Sequence, residues 1–385
     1  MPLPLFLPCA AGVEALLEAE VRALLPSADV RAARGGVALA GDPQEVMVLN
    51  LESRLAQRVL IEVAEGAYRD ERDLYELVHA LDWSRHFAPT RTLRVDVAAT
   101  RSPLTSLEFA TLRTKDAVCD RMRADHGVRP SVDKRAPDVR VHVHLTDREA
   151  TVYVDTSGEP LFKRGYRQDA DEAPLRENLA AGLLALAQWT PGKPLLDPMC
   201  GSGTIVTEAA LIAAGRAPGL SRTFGFQKLA WYDGPTWQRI KQAARDRIRA
   251  APASPSIFAS DIADGAVGKT RSNLRTAQVD AFVHVERADI LTREAPAAEG
   301  LLIANPPYGV RLAEANELAA LYPRLGDALK RNFAGWSAYF FTGDLRLAKL
   351  IGLKADKRTP LWNGAIECRL FAFRIVAGSM RERGR

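Results

Sequence analysis

The residues best suited to chemistry fall in two short runs. In the first, Leu195 and Leu196 lead into Asp197, followed by Pro198, Met199, Cys200, Gly201, Ser202, Gly203 and Thr204. The glycines let a ligand approach the backbone closely. A helix predicted to begin at Thr204 offers N–H groups without intrahelical partners to a carboxylate or other polar tail. That pattern suits a nucleotide-like cofactor. The second run, Leu301-Leu302-Ile303-Ala304, ends in Asn305, Pro306, Pro307 and Tyr308, a polar amide, two residues that stiffen the chain and an aromatic ring. Cys200 is a nucleophile by type, but no paired His is evident and its loop position points to packing.

Each run must be carried by a buried strand. The spacing predicts strand, glycine turn and helix around Asp197, then a strand ending at Asn305; in an open α/β sheet such tips share one crevice at the strand ends. A ribose-binding acid is expected about 20 residues after the glycine turn. The best candidate, Asp261 after the apolar run 256–260, comes much later. The intervening residues, including a helix over 236–249 with a basic face, are therefore expected to loop outside the sheet and to extend toward substrate. Met199-Cys200 also stands where a dehydrogenase would carry further glycines. Beyond Asp261 come a helix from Ala263, a strand over 282–286, Asp289 and Ile290 just past it, a helix over 316–333 and a buried strand over 336–342. A hairpin turning at Asn363-Gly364 closes the pattern. The sheet is thus expected to be mostly parallel with an antiparallel end.

Upstream, residues 5–39 read as strand, helix, strand, followed by a helix over 43–56 and a strand from Arg58, a small α+β unit. Then come a helix from Asp73, an alternating strand over 92–98, a helix over 107–122 and a hairpin around Thr146-Asp147-Arg148-Glu149. Arg113, Lys115, Arg121, Arg123, Arg129, Lys134 and Arg135 crowd this region, either to meet phosphates or as a solvated face. His142 and His144 share a strand face, and without a third ligand they read as structural.

At 385 residues the chain can hold two or three domains. With 52 Lys+Arg against 47 Asp+Glu its net charge of +5 permits a polyanionic partner without demanding one. The four cysteines, Cys9, Cys119, Cys200 and Cys368, are scattered with no paired spacing, which suits a reducing cytoplasm and no metal centre. The proline-broken start lacks the basic flank of a secretion signal, and no apolar run approaches the roughly 20 residues that span a bilayer.

The two chemical runs together resemble those of the S-adenosylmethionine (SAM) methyltransferases that act on exocyclic amino groups. The resemblance implies SAM as cofactor, with Asp197 near its methionine or ribose portion and Met199 to Thr204 lining its approach. It further implies Asp261 and Ile262 at the ribose, Asp289 and Ile290 at the adenine, and Asn305 between cofactor and substrate. An exocyclic base amine is a weak nucleophile. The Asn305 side-chain oxygen and the Pro306 carbonyl are placed to accept its two N–H bonds, Pro306 and Pro307 to fix the turn, and Tyr308 to stack an extruded base. No metal is required. Leu161 to Arg167 and the Ala173-Pro174 helix start occupy the segment that covers the methionine end in that family; Arg164, Tyr166 and Arg176 either do so here or clamp an interdomain joint.

Residues 46–157 resemble a THUMP domain, an RNA-binding module, preceded by a ferredoxin-like region over 1–45. Residues 158–385 resemble a Rossmann-like class I SAM methyltransferase domain. With Lys163-Arg164-Gly165-Tyr166-Arg167, Arg216-Ala217-Pro218-Gly219-Leu220 and Asn305-Pro306-Pro307-Tyr308-Gly309, the chain is similar over nearly its whole length to THUMP-containing guanine-N2 RNA methyltransferases, especially those acting on bacterial large-subunit ribosomal RNA. Some members carry a second methyltransferase half, absent here, so a single methylation is expected. Transfer RNA as substrate, adenine N6 as target and a non-catalytic RNA-binding assembly factor remain open.

Overall fold

The computed structural model describes residues 2–167, 175–306 and 312–376. The chain divides into two compact units, one of residues 1–9, 17–161 and 219–243, the other of residues 10–16, 162–218 and 244–385.

The first unit is built on β1 (Leu3–Pro8), α1 (Glu14–Leu24), β2 (Arg31–Ala33), β3 (Gly36–Gly41), α2 (Pro43–Glu52), β4 (Leu60–Ala67), α3 (Glu71–His79), β5 (Leu93–Ala99), α4 (Leu107–His126), β6 (Val139–Leu145) and β7 (Glu149–Asp155). One seven-stranded sheet runs in the order β2-β3-β1-β4-β7-β6-β5. Its pairings are antiparallel except for β5 with β6, which α4 connects as a crossover. Strand β6 alternates cleanly, burying Val139, Val141, Val143 and Leu145. Helix α2 starts on a capping box between Asp42 and Glu45. It stops at Glu52 rather than near residue 56, because the Glu20 carboxylate accepts Ser53 Oγ (2.7 Å) and the N–H groups of Arg54 (2.9 Å) and Leu55 (3.3 Å). At the end of the interior strand β7, buried Asp155 pairs with Arg58 and lies 3.2 Å from His142 Nε2.

The second unit contains α5 (Glu177–Leu186), β8 (Leu195–Asp197), α6 (Thr204–Ala213), the end of α7 (Gly234–Asp246), β9 (Ile257–Asp261), α8 (Asp264–Thr276), β10 (Val283–Arg287), β11 (Leu301–Ala304), α9 (Leu312–Asn332), β12 (Ser337–Thr342), α10 (Leu347–Leu350), β13 (Lys357–Asn363) and β14 (Ile366–Arg374). Its sheet runs β10-β9-β8-β11-β12-β14-β13, with the first five strands parallel and the last two pairings antiparallel. Every residue of β8 and β11 is buried, as expected for parallel strands covered on both faces. Beneath β11 and β12 lies a core of Tyr322, Phe333, Trp336, Phe340, Phe371 and Phe373. The closing hairpin turns on Gly364-Ala365, one position later than the expected Asn363-Gly364 pair. Asn363 faces Ile366 in register, and only Gly364 takes positive φ, 65°.

The insertion after α6 does leave the parallel sheet, but residues 219–243 become part of the first unit. Arg222 donates to the carbonyls of Pro160 (2.7 Å), Glu159 and Ser157 (3.4 Å), and its guanidinium lies 5.1 Å from the Phe224 ring centre. Phe226 N–H donates to Thr156 O at 2.7 Å. Phe224 and Phe226 stack, and Trp237 meets both edge-on at 5.7 and 5.1 Å. Among the described residues no helix is long and apolar enough to cross a membrane.

Candidate active site

Strand order in the second sheet reverses on either side of β8, the switch point where ligands gather beyond the strand ends in open α/β sheets. Asp197 closes β8 and is 2% exposed. Burial pushes its carboxyl up to about 8; the charge of Asp261 adds to this and a bond from Met199 N–H (3.2 Å) opposes it. The chain then turns through Gly201 and Gly203, whose φ values of 54° and 78° lie in the left-handed region that glycine tolerates. Thr270 on α8 braces this turn. Its hydroxyl donates to Gly201 O (3.0 Å) and lies 3.3 Å from Cys200 Sγ, while Asn273 Nδ2 donates to Ser202 O (2.9 Å). A Cβ on Gly203 would come within 2.7 Å of Thr270 Cγ2, whereas one on Gly201 would meet nothing among the described residues within 4 Å. The turn is thus tight against α8 at Gly203 and open at Gly201, as a backbone approached by a ligand must be. Burial also drives the Cys200 thiol upward, against any nucleophilic role.

Asp261, at the end of β9, accepts Gly201 N–H on Oδ2 (3.0 Å) and Ala263 N–H on Oδ1 (3.0 Å). Its carbonyl accepts Ala288 N–H at 3.1 Å, which ties the ends of β9 and β10 together. Asp289 accepts Leu291 N–H on Oδ1 at 2.9 Å, bracing a turn of its own. Ile262 is 62% exposed, while Ile290 is buried in the core with Leu302 and Trp336. Asn305 is half-buried immediately past β11, and Pro306 is buried. Leu301 and Leu302 pair in parallel with Leu195 and Leu196, so Asn305 follows two positions after the residue level with Asp197, on the adjacent strand. Neighbouring strands lie about 4.8 Å apart. The two runs therefore end side by side on one edge of the sheet. Pro307 and Tyr308 lie outside the described residues.

A family model described as RMKL-like, methyltransferase domain, matches residues 164–372, over half of the 385. The chain belongs to the RMKL-like methyltransferase family. Upstream, a THUMP domain model matches residues 68–155, and a model described as the RlmL ferredoxin-like domain matches 4–60. The Ribosomal RNA large subunit methyltransferase K/L of Syntrophotalea carbinolica is 42% identical over 385 residues, covering 97% of this chain and 54% of that protein. The chain spans about half the length of the curated relatives it matches. Among solved structures, SMU.472, described as a putative methyltransferase complexed with SAH, is 30% identical, with a TM-score of 0.87 over 98% of this chain and 99% of that one. A structure from Listeria monocytogenes, described as a predicted N6-adenine-specific DNA methylase, is 28% identical with a TM-score of 0.87, covering 97% of each chain.

Within this RMKL-like domain the structure adds residues that the two runs did not point to. Arg164 (3.5 Å) and the Tyr166 hydroxyl (3.3 Å) meet the buried Glu208 carboxylate on α6. Arg167 donates to Thr204 Oγ1 and Leu175 O, both at 2.8 Å, and lies 3.4 Å from Glu177. Arg176 instead stacks over Phe162 at 4.9 Å. The signal for Glu208 and Glu177 was available: each is the one acid of a mostly apolar helix, Glu177 at its first position and Glu208 inside it, and buried carboxylates need partners. Elsewhere, His142 is held by Asp155 and His144 by Thr100 (3.2 Å). Many of the cations on and near α4 are engaged at home. Lys115 and Arg129 pair with Asp116, Arg121 with Asp125 and Arg123 with Asp120, while Arg113 lies over Tyr75.

Proposed function

We propose that this chain binds SAM in the crevice beyond β8, β9 and β11 and transfers its methyl group to the exocyclic N2 of a guanine in large-subunit ribosomal RNA, in the cytoplasm. The observation that carries the reading is the placement of Asn305 on the strand adjacent to β8, just past the level of Asp197. The open turn at Gly201 fits a cofactor held against the backbone, and the SAH bound to SMU.472 and the name of the Syntrophotalea relative support cofactor and substrate. The RNA would be held partly by the THUMP region.

Bound SAM supplies an electrophilic methyl group. The chain's own work is alignment and electrostatics. Within the turn, Gly201 N–H is donated to Asp261 and Gly203 N–H to Cys200 O, so Ser202 and Thr204 would bring their backbone N–H groups to the cofactor's polar end, and Asp261, which holds the turn, would accept from the ribose. Asn305 Oδ1 and the Pro306 carbonyl accept the two N–H bonds of the base amine, so they stabilise the positive charge that grows there as the nitrogen attacks. Adenine N6 is a second reading, favoured by the Listeria structure.

The test is methyl incorporation from labelled SAM into RNA. Removing one preorganised electrostatic partner by Asn305→Ala should slow turnover by about 100- to 1000-fold with RNA affinity nearly intact. An unchanged rate would remove Asn305 from the chemistry.

A further inference from the structure

We propose that Arg167 is a positioning residue for SAM binding, acting through the hydroxyl of Thr204. The inference rests on the SAM reading given above and names how the polar end of that site is held.

Thr204 is the first residue of α6, directly after the glycine turn, and is 6% exposed. A guanidinium has donors and no acceptor, so in the 2.8 Å bond between Arg167 Nη2 and Thr204 Oγ1 the hydroxyl oxygen must accept. The single proton of that hydroxyl is left to point elsewhere, and among the described residues it is donated to no acceptor. At this place the first N–H groups of α6 also lack intrahelical partners. A threonine O–H beside them completes a set of donors for a carboxylate, the group at the amino-acid end of SAM. Arg167 therefore does two things at once. It fixes the hydroxyl rotor in the orientation that donates toward the turn, and it adds a positive charge behind it.

The rest of its contacts show why the guanidinium keeps that geometry. It also donates to Leu175 O at 2.8 Å and lies 3.4 Å from Glu177 at the start of α5. The preceding residues are pinned to the same face of α6, because Tyr166 and Arg164 meet Glu208, one helical turn beyond Thr204. Arg167 thus spans the starts of two helices on a backbone that is itself anchored.

Binding of SAH, measured by calorimetry on the full chain, tests the proposal, with thermal melting of each ligand-free variant and RNA affinity measured alongside. Arg167→Ala should raise the Kd for SAH by about 10- to 100-fold, the span for losing a hydrogen bond to a charged group, with RNA affinity unchanged. Thr204→Val should lose a similar factor, Thr204→Ser should recover most of it, and the double variant Arg167→Ala/Thr204→Val should bind no worse than the weaker single. Wild-type affinity in Arg167→Ala, or losses that multiply in the double variant, would overturn the proposal. If Arg167→Ala does not fold, Thr204→Val and Thr204→Ser decide, and equal affinities for SAH in those two would overturn it. Failure of the wild-type chain to bind SAH would instead refute the SAM reading itself.

Discussion

Replacing Gly203 by alanine should damage the molecule far more than the same change at Gly201, although both glycines sit in one turn. Each holds a left-handed φ, 78° and 54°, which costs a residue with a Cβ about 1–2 kcal/mol. At Gly201 nothing among the described residues lies within 4 Å of the added atom, so that strain is the whole effect. At Gly203 the methyl would come within 2.7 Å of Thr270 Cγ2 and 2.8 Å of Thr270 Oγ1. Relieving that overlap adds roughly 1–3 kcal/mol, for a total of about 2–5 kcal/mol. With about 2–4 °C per kcal/mol for a domain of this size, Gly201→Ala should lower the melting temperature by roughly 2–8 °C and Gly203→Ala by roughly 4–20 °C. Displacing Thr270 also frees Gly201 O, whereas a methyl at Gly201 would enter the space left open for the cofactor, so SAH binding should suffer at both positions while the melting temperature falls more at 203. Thermal melts with and without SAH measure both effects, and Thr270→Ala should narrow the gap between the two variants. Equal melts for the two alanines, or a gap untouched by Thr270→Ala, would refute the reasoning.

Asp197 and Asp155 are both fully enclosed carboxyls, but they titrate in opposite directions. Burial raises Asp197 from 3.8 to about 8. Between those values the folded chain binds a proton that the unfolded chain has released, so stability falls as pH rises through the window. The melting temperature of Asp197→Asn relative to wild type should therefore climb from about pH 5 to about pH 8; a constant difference would contradict the burial argument. For Asp155, burial opposes ionisation, but Arg58, His142 and the Ser157 N–H outweigh it and hold the carboxyl below its ordinary value. That stabilisation is present above 3.8 and is lost as pH falls through the lower folded value. Arg58→Ala, which leaves a buried charge short of its main partner, should cost about 3–5 kcal/mol near neutral pH by urea unfolding, and a loss below about 1 kcal/mol would show that His142 suffices.

The parts of the site that were legible in the sequence are those determined locally. Strand, glycine turn and helix around Asp197 follow from a few neighbouring residues, and so does the strand that stops at Asn305. What was not legible depends on distant partners. Residues 217–235 read as a loop-rich insertion outside the sheet, and nothing local shows that Arg222 will meet carbonyls near residue 158 or that Phe226 will bond to Thr156. The same holds at the start of α6, where Arg167 finds Thr204 across 37 positions of chain. The shift of the closing turn to Gly364-Ala365 is a matter of register. The pairing of Asn363 with Ile366 fixes it, and two adjacent turn-forming residues could not.

The most direct measurement is the identity of the modified nucleoside. RNA incubated with the chain and SAM, digested to nucleosides and resolved by mass spectrometry, should contain N2-methylguanosine that forms about 100- to 1000-fold more slowly when Asn305→Ala replaces the wild type. Finding N6-methyladenosine instead, or no methylated nucleoside from a chain that binds SAH, would contradict the assignment of this crevice to guanine N2.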